Sequence, residues 1–111
     1  MPQPARRPQP SQKAGMADFT RKAAEAAGLL KLLANENRLL ILCQLVLAGE
    51  MSVGELADEV GLSQSALSQH LAKMREEGLL GTRREAQSVF YHIADPNAAR
   101  VLGLLKSIYC P

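Results

Sequence analysis

The sequence contains few aromatic residues, few cysteines and no long apolar stretch. Aromatic residues make up 4% of the chain and Trp is absent, whereas hydrophobic residues make up 47%. The core must therefore be built from Leu, Val, Ile and Ala, a composition that suits packed helices. The longest apolar run, from Leu39 to Ala48, is interrupted by Gln44 and has about half the length that a membrane span requires. A chain of 111 residues is expected to form one domain with a single hydrophobic core.

The cysteine content and the N-terminus indicate the compartment. No apolar stretch follows the N-terminal arginines, so no secretory signal is predicted. Together with the short apolar run, this predicts a soluble cytoplasmic protein without a membrane partner. The two cysteines, Cys43 and Cys110, are not expected to form a permanent structural disulfide in a reducing cytosol. They are predicted to be either inert core residues or a switch.

The overall charge does not indicate a nucleic-acid-binding protein. The formal net charge is +2, but Arg6, Arg7 and Lys13 lie in an N-terminal stretch without acidic residues, which leaves 10 basic and 11 acidic residues elsewhere. The evidence for DNA binding must therefore come from local placement. Residues 1–16 contain four prolines among Gln, Arg and Ser, and they are predicted to form a disordered tail.

Residues 17–111 are predicted to form a mainly α-helical domain with a small β-hairpin. Apolar spacing, capping residues and glycines predict a helix over Ala17–Ala34 and a second that is capped by Asn35 and runs through Arg38 to about Leu47. Two further helices are predicted over Ser52–Val60 and Ser63–Glu77, capped by Ser52 and Ser63, then strands over Leu79–Arg84 and Ser88–Ile93, and a last helix that begins at Asp95 and Pro96. The third and fourth helices are separated by a tight turn at Gly61, which is the form of a helix-turn-helix. With the hairpin as a wing, the order of elements predicts a winged helix-turn-helix.

The helix after Gly61 presents an unusual outer face. At helical spacing, Leu67, Leu71 and Met74 form one apolar stripe that is predicted to face the core. The residues that point largely away from this stripe are polar and uncharged: Ser65, Ser68 and Gln69, with Gln64 at the boundary of the first turn. Short hydroxyl and amide side chains can donate and accept hydrogen bonds at base edges and phosphates, whereas an ordinary solvated face more often carries Lys and Glu. The pattern therefore favours contact with DNA.

Several flanking residues extend this predicted DNA surface. His70 lies at the edge of the apolar stripe, where it either packs against the core or contacts a phosphate. Lys73 supplies a cation towards the end of the same helix, and Arg83 and Arg84 supply cations in the wing. Because Arg84 lies beside the predicted turn, it is the residue we expect to contact the DNA backbone or minor groove.

Three sequence motifs add a family resemblance. They are L-A-N-E-N-R-L-L-I-L (Leu33–Leu42), E-L-A (Glu55–Ala57) and L-S-Q-S-A-L-S-Q-H-L (Leu62–Leu71). With the order of elements, they resemble the ArsR family of bacterial dimeric repressors over about residues 17–110. The resemblance implies palindromic operator DNA as a partner, DNA contact by the four outward-facing residues of the recognition helix, and a homodimer through the first and last helices. The broad apolar faces of those two helices favour the same interface.

Many members of this family sense metals, but their ligands are absent from this chain. The motif E-L-C-x-C would place thiolates at the positions of Ala57 and Glu59. The last helix also lacks the carboxylate and histidine set of the other common zinc site, and Asp95 is explained as a helix cap. We therefore predict neither a bound metal nor another cofactor.

The surroundings of the two cysteines resemble one branch of the family. I-L-C-Q-L around Cys43 and the final Y-C at Tyr109 and Cys110 resemble the sulfide-responsive BigR and SqrR type regulators. This resemblance implies that inorganic polysulfide or an organic persulfide links the two cysteines, that operator DNA is released, and that the regulated genes serve sulfide detoxification. Judged from the residues alone, Cys43 is a core residue, because burial in an apolar helix should raise its pKa and disfavour the thiolate.

Other functions are compatible with parts of the sequence. A metal- or peroxide-responsive regulator would share the fold. A thiol enzyme is disfavoured, because the chain has no C-x-x-C, no G-x-S-x-G and no phosphate-binding glycine motif. A protein-interaction module without DNA binding is the remaining alternative. The sequence favours a repressor rather than an enzyme.

Overall fold

The computed structural model describes residues 10–110, and their side chains from residue 15 onwards. The elements of this part are five helices and three strands: α1 (Pro10–Leu33), α2 (Glu36–Ala48), β1 (Met51–Ser52), α3 (Val53–Val60), α4 (Gln64–Glu76), β2 (Leu80–Glu85), β3 (Ser88–Ile93) and α5 (Pro96–Tyr109). The predicted mainly helical winged helix-turn-helix is confirmed. No helix in the described part has both the length and the apolar character that a membrane span requires.

The chain divides into two compact units, Met1–Lys31 and Leu32–Pro111. Most of α1 belongs to the first unit. This helix begins at Pro10, earlier than the start at Ala17 that the sequence predicts, and residues 1–9 of the predicted tail lie outside the described residues.

Polar side chains cap the helices of the second unit, as predicted. Asn35, Ser63 and Asp95 each accept a hydrogen bond from a backbone N–H in the first turn of the following helix. Ser52 and Glu55 form a reciprocal capping box at the start of α3, with bonds of 3.2 Å to the Ser52 hydroxyl and 3.1 Å to the Glu55 carboxylate. These caps fix where the helices begin, and each typically contributes about 1 kcal/mol.

The core of the second unit is built from aliphatic and methionine side chains. Its fully buried large residues are Ile41, Leu42, Leu45, Leu56, Leu67, Leu71, Met74, Leu79 and Leu102. The predicted core stripe of α4 is therefore confirmed. Helix α2, however, is buried on one side only, because Leu40 and Leu47 are exposed. Because residues 39–47 leave almost no polar face, the sequence predicts a central core helix; within a single chain, the structure buries only the inner side of α2.

The strands form one antiparallel sheet in the order β1-β3-β2. The hairpin pairs Leu80 with Ile93 at one end and Glu85 with Ser88 at the other, around a turn in which Ala86 has a positive φ of 54°. Strand β1, which pairs Ser52 with Phe90, was not predicted.

The alternation of Val89, Tyr91 and Ile93 with Ser88, Phe90 and His92 predicts a β3 with one inward face, but in the structure both of its faces are partly covered. Residues 89–93 are all half-buried. The outer face is covered because the Arg83 guanidinium lies over the Phe90 ring and the His92 ring lies over Gly81. A Cβ added at Gly81 would come within 2.7 Å of the His92 Nε2 atom, so only glycine fits there without a shift.

Candidate nucleic-acid interface and thiol pair

The helix-turn-helix places the predicted recognition residues at the surface. Helices α3 and α4 are joined through Gly61, which adopts the left-handed conformation with φ of 69° and allows the tight turn. The Ser63 hydroxyl accepts the Ala66 N–H at 3.1 Å and so fixes the first turn of α4. With the opposite stripe of the helix in the core, all four predicted side chains are exposed: Gln64, Ser65, Ser68 and Gln69.

The flanking residues of α4 differ from these four. His70 is half-buried, which agrees with its predicted position at the edge of the apolar stripe. Lys73 is exposed and its Nζ lies 3.2 Å from a carboxylate oxygen of Glu77, one turn further along the helix. An exposed pair of this kind is weak, so the ammonium remains accessible to a phosphate.

The two neighbouring arginines of the wing have different surroundings. Arg84 is exposed, and among the side chains of residues 15–110 it has no ion-pair partner. Arg83 forms ion pairs with both Glu50 and Glu85. Sequence reasoning favoured Arg84 as the wing contact because it lies beside the turn, but it identified no partner for Arg83 and missed Glu50. The sequence signal for a partner of Arg83 is Glu85, which lies on the same face of the strand.

The two cysteines lie on helices that pack against each other. Cys43 is a half-buried residue of α2, and Cys110 is an exposed residue at the end of α5. Both are free thiols. The backbone N–H of Cys110 donates to the Lys106 carbonyl oxygen at 2.7 Å, which holds the cysteine in the last turn of the helix.

Electrostatics connect Cys43 with the end of α5. Burial raises the pKa of the Cys43 thiol, as predicted, and the nearby Cys110 raises this pKa further, whereas the Lys106 ammonium lowers it. Charge interactions weaken with distance, so the effects of Cys110 and Lys106 on this pKa indicate that both residues lie near Cys43. Two thiols that are far apart in the sequence thus lie on packed helices, near enough for Cys110 to raise the pKa of Cys43. Within the described residues, no three His, Cys, Asp or Glu side chains are grouped in a way that could hold a metal ion.

A helix-turn-helix with an exposed polar second helix, followed by a β-hairpin, defines a winged helix-turn-helix DNA-binding protein. The model of the protein family described as "Bacterial regulatory protein, arsR family" matches residues 35–81 of this chain. This match, together with the relatives below, shows that the chain belongs to the ArsR family of transcriptional regulators.

The similar proteins are regulators of transcription. The transcriptional activator HlyU of Vibrio cholerae is 50% identical over 93 residues, which are 84% of this chain and 85% of HlyU. The structure of reduced HlyU from the same species has a TM-score of 0.79 at 49% identity and covers 85% of this chain and 98% of that one. The crystal structure of the transcriptional repressor BigR from Xylella fastidiosa matches with a TM-score of 0.79 at 41% sequence identity. The match covers 86% of this chain and 97% of the BigR chain. Since these relatives are DNA-binding regulators, the alternative of an enzyme is not supported.

Proposed function

We propose that this protein is a repressor that binds palindromic operator DNA as a homodimer and releases it when reactive sulfur joins Cys43 to Cys110. The observation that supports the proposal is that Cys43 and Cys110 lie on the packed helices α2 and α5 and that Cys110 raises the pKa of Cys43. Similarity to a protein named as a repressor, BigR, supports the direction of regulation. The regulated genes are proposed to serve sulfide detoxification.

The DNA contacts are assigned to α4 and the wing. The four exposed polar residues lie in the first two turns of α4, the part of a recognition helix that meets base edges in the major groove. Hydroxyl and amide groups there can contact bases and phosphates without a charge. His70 and Lys73 continue towards the sugar-phosphate backbone, and Arg84 reaches it from the wing.

The proposed dimer interface includes the exposed apolar face of α5. Leu104 and Ile108 are one helical turn apart, and both are more than half exposed, as is Tyr109. Helix α1 likewise exposes Met16, Phe19 and Leu30. A second copy of the chain would remove these side chains from water and present two recognition helices to successive turns of DNA.

The sulfur chemistry requires only a sulfur donor. A cysteine thiolate attacks the terminal sulfur of an organic persulfide, R–S–SH; its S–S bond breaks, and RS⁻ leaves with the electron pair and takes up a proton. When both cysteines have become persulfides, the persulfide anion on Cys110 attacks the inner sulfur of the Cys43 persulfide. Hydrosulfide leaves, and a trisulfide joins the two residues. The cysteines are oxidised and the donor is reduced. Inorganic polysulfide reacts in the same way and is shortened by one sulfur.

This bridge would act on the geometry of the dimer. It joins α2, whose inner face is buried in the core, to the end of α5, which carries the proposed dimer interface. A trisulfide also spans a wider gap than a disulfide, for which the Cα atoms must lie within about 7 Å. Displacing one subunit against the other misplaces both recognition helices. Switches of this kind typically change affinity about 5- to 150-fold.

The test is a gel shift with reduced protein and a duplex that this protein selects from a random library. Polysulfide should release the DNA from the wild type but not from Cys43→Ser or Cys110→Ser, both of which should still bind. Intact-mass spectra should show the added sulfur. Release from both single variants would contradict the proposal, and loss of two hydrogens without added sulfur, or a bound metal, would favour the peroxide- or metal-responsive alternative.

A further inference from the structure

The outer face of the sheet carries a cluster of charged and aromatic side chains. Strand alternation places Arg83 and Glu85 of β2 on the face opposite to the buried Leu80. Phe90 lies directly across from Arg83, and Glu50 immediately precedes β1. We refer to Glu50, Arg83, Glu85 and Phe90 as the wing clamp.

The Arg83 guanidinium is the centre of the wing clamp. Its Nε and Nη2 atoms donate to the two carboxylate oxygens of Glu50 at 3.1 and 2.6 Å, and its Nη1 donates to Glu85 at 2.9 Å. Its Cζ lies 4.8 Å from the centre of the Phe90 ring. A forked pair that also stacks on an aromatic ring has a defined geometry, unlike a single surface ion pair.

The wing clamp is not suited to attracting a phosphate. One guanidinium lies between two carboxylates, so the formal charge of the cluster is negative. The hydrogen bonds from Arg83 lower the pKa of the Glu50 carboxyl, and the charge of His92 makes a smaller contribution in the same direction. The lowered pKa keeps Glu50 ionised. Arg84, the next residue, projects from the opposite face of the strand and is exposed near the hairpin turn.

The wing clamp also connects two parts of the DNA-binding surface. Glu50 lies in the segment between α2 and α3, where the helix-turn-helix begins, whereas Arg83 lies in the wing. We propose that Arg83 is a positioning residue for DNA binding, which holds the wing against the start of the helix-turn-helix so that Arg84 reaches the phosphate backbone. This inference depends on the DNA surface assigned above.

The first test is the variant Glu50→Gln in the reduced full-length protein, with the selected duplex. Removing a negative charge by itself favours DNA binding. A positioning role predicts the reverse: operator affinity falls by about tenfold. Glu76→Gln, which removes an exposed carboxylate from α4 outside the wing clamp, is the matched control and should bind as well as the wild type or better. Unchanged or tighter binding by Glu50→Gln would overturn the inference.

The second test separates positioning from phosphate contact by salt dependence. The substitution Arg83→Lys keeps the positive charge but removes the forked, planar guanidinium group. We therefore expect Arg83→Lys to weaken binding nearly as much as Arg83→Gln, with an unchanged slope of log affinity against log salt concentration in both. Arg84→Gln should instead reduce that slope by about two, one phosphate contact from each subunit. A nearly normal Arg83→Lys with a reduced slope for Arg83→Gln would show that Arg83 itself contacts DNA.

Failure of the positioning role and failure of the proposed function would give different experimental results. If the wild type selects no duplex, or if Gln69→Ala binds normally, the assigned DNA surface is wrong and the positioning role fails with it. If both of those results are as expected, only the Glu50 and Arg83 variants decide the role of the wing clamp. Thermal unfolding of each variant should confirm that it is folded.

Discussion

The recognition helix and the thiol pair differ in how accessible their functional groups are. The four polar side chains of α4 are exposed on a capped helix, so the proposed DNA surface is formed in the absence of DNA. Cys43 is half-buried, and its pKa is raised, so little of its reactive thiolate is present at neutral pH. Under the proposed function, this difference makes DNA binding the resting state of the protein, and sensing then requires a reagent that reaches a protected thiol.

The largest expected effect is on the DNA side of this comparison. Gln69→Ala removes one amide from each of two recognition helices. A good base contact contributes about 1–3 kcal/mol, so the dimer should lose about 2–6 kcal/mol of binding free energy. Fluorescence anisotropy with the selected duplex measures this loss. Because Gln69 is exposed, the unfolding temperature should stay the same. An unchanged affinity would show that the exposed polar face of α4 has no part in DNA binding.

A smaller effect tests whether the DNA surface is indeed formed in advance. Ser63→Ala removes the cap of α4 and should lower the free energy of unfolding by about 1 kcal/mol. Since the first turn carries Gln64 and Ser65, operator affinity should fall as well. Urea unfolding and anisotropy measure the two effects. Ser63→Asn is the matched control, because Asn caps helices as well as Ser does. Equal losses in both variants would mean that the hydroxyl acts in some way other than capping.

The accessibility of the thiol pair is tested by comparing how fast an alkylating reagent modifies each of the two cysteines. We expect iodoacetamide to alkylate the exposed Cys110 severalfold faster than Cys43 at neutral pH, because burial and a raised pKa both protect Cys43. The Cys43 rate should increase as the pH rises towards its raised pKa, since the thiolate fraction grows. Peptide mass spectrometry after timed quenching measures both rates. Faster reaction at Cys43 would contradict the proposed difference in accessibility.

The smallest effect concerns Lys106, the cation of the described part of the chain that lowers the pKa of Cys43. Lys106→Gln should raise the pKa of Cys43 further and slow its alkylation at neutral pH, because the ammonium of Lys106 lowers this pKa. Lys106→Arg keeps the positive charge and should preserve the rate. The pH profile of Cys43 alkylation in a Cys110→Ser background distinguishes the two. If both variants behave like the wild type, Lys106 has no influence on the thiol.

Features that depend on neighbouring residues could be predicted from the sequence. The caps at Asn35, Ser52, Ser63 and Asp95 follow from side chains that bond to backbone groups a few residues away. The outward face of α4 follows from helical periodicity and its core stripe. These local relations are sufficient to place a candidate recognition surface.

Features that depend on distant residues could not be predicted in the same way. Strand β1 has two residues, too few for an alternating pattern. Arg83 and its partner Glu50 are 33 positions apart, and no spacing rule relates them. The closeness of Cys43 and Cys110 came only from a family resemblance, because it depends on how α2 packs against α5.

Ser52 belongs to two elements at once, since it is paired with Phe90 in the sheet and caps α3. No spare residue separates the strand from the helix, so an insertion between positions 49 and 53 would shift one partner out of place. The hairpin turn at Ala86 has no such double role. Across the family, the wing tip should therefore tolerate changes in loop length, whereas the segment that leads into α3 should keep a fixed length.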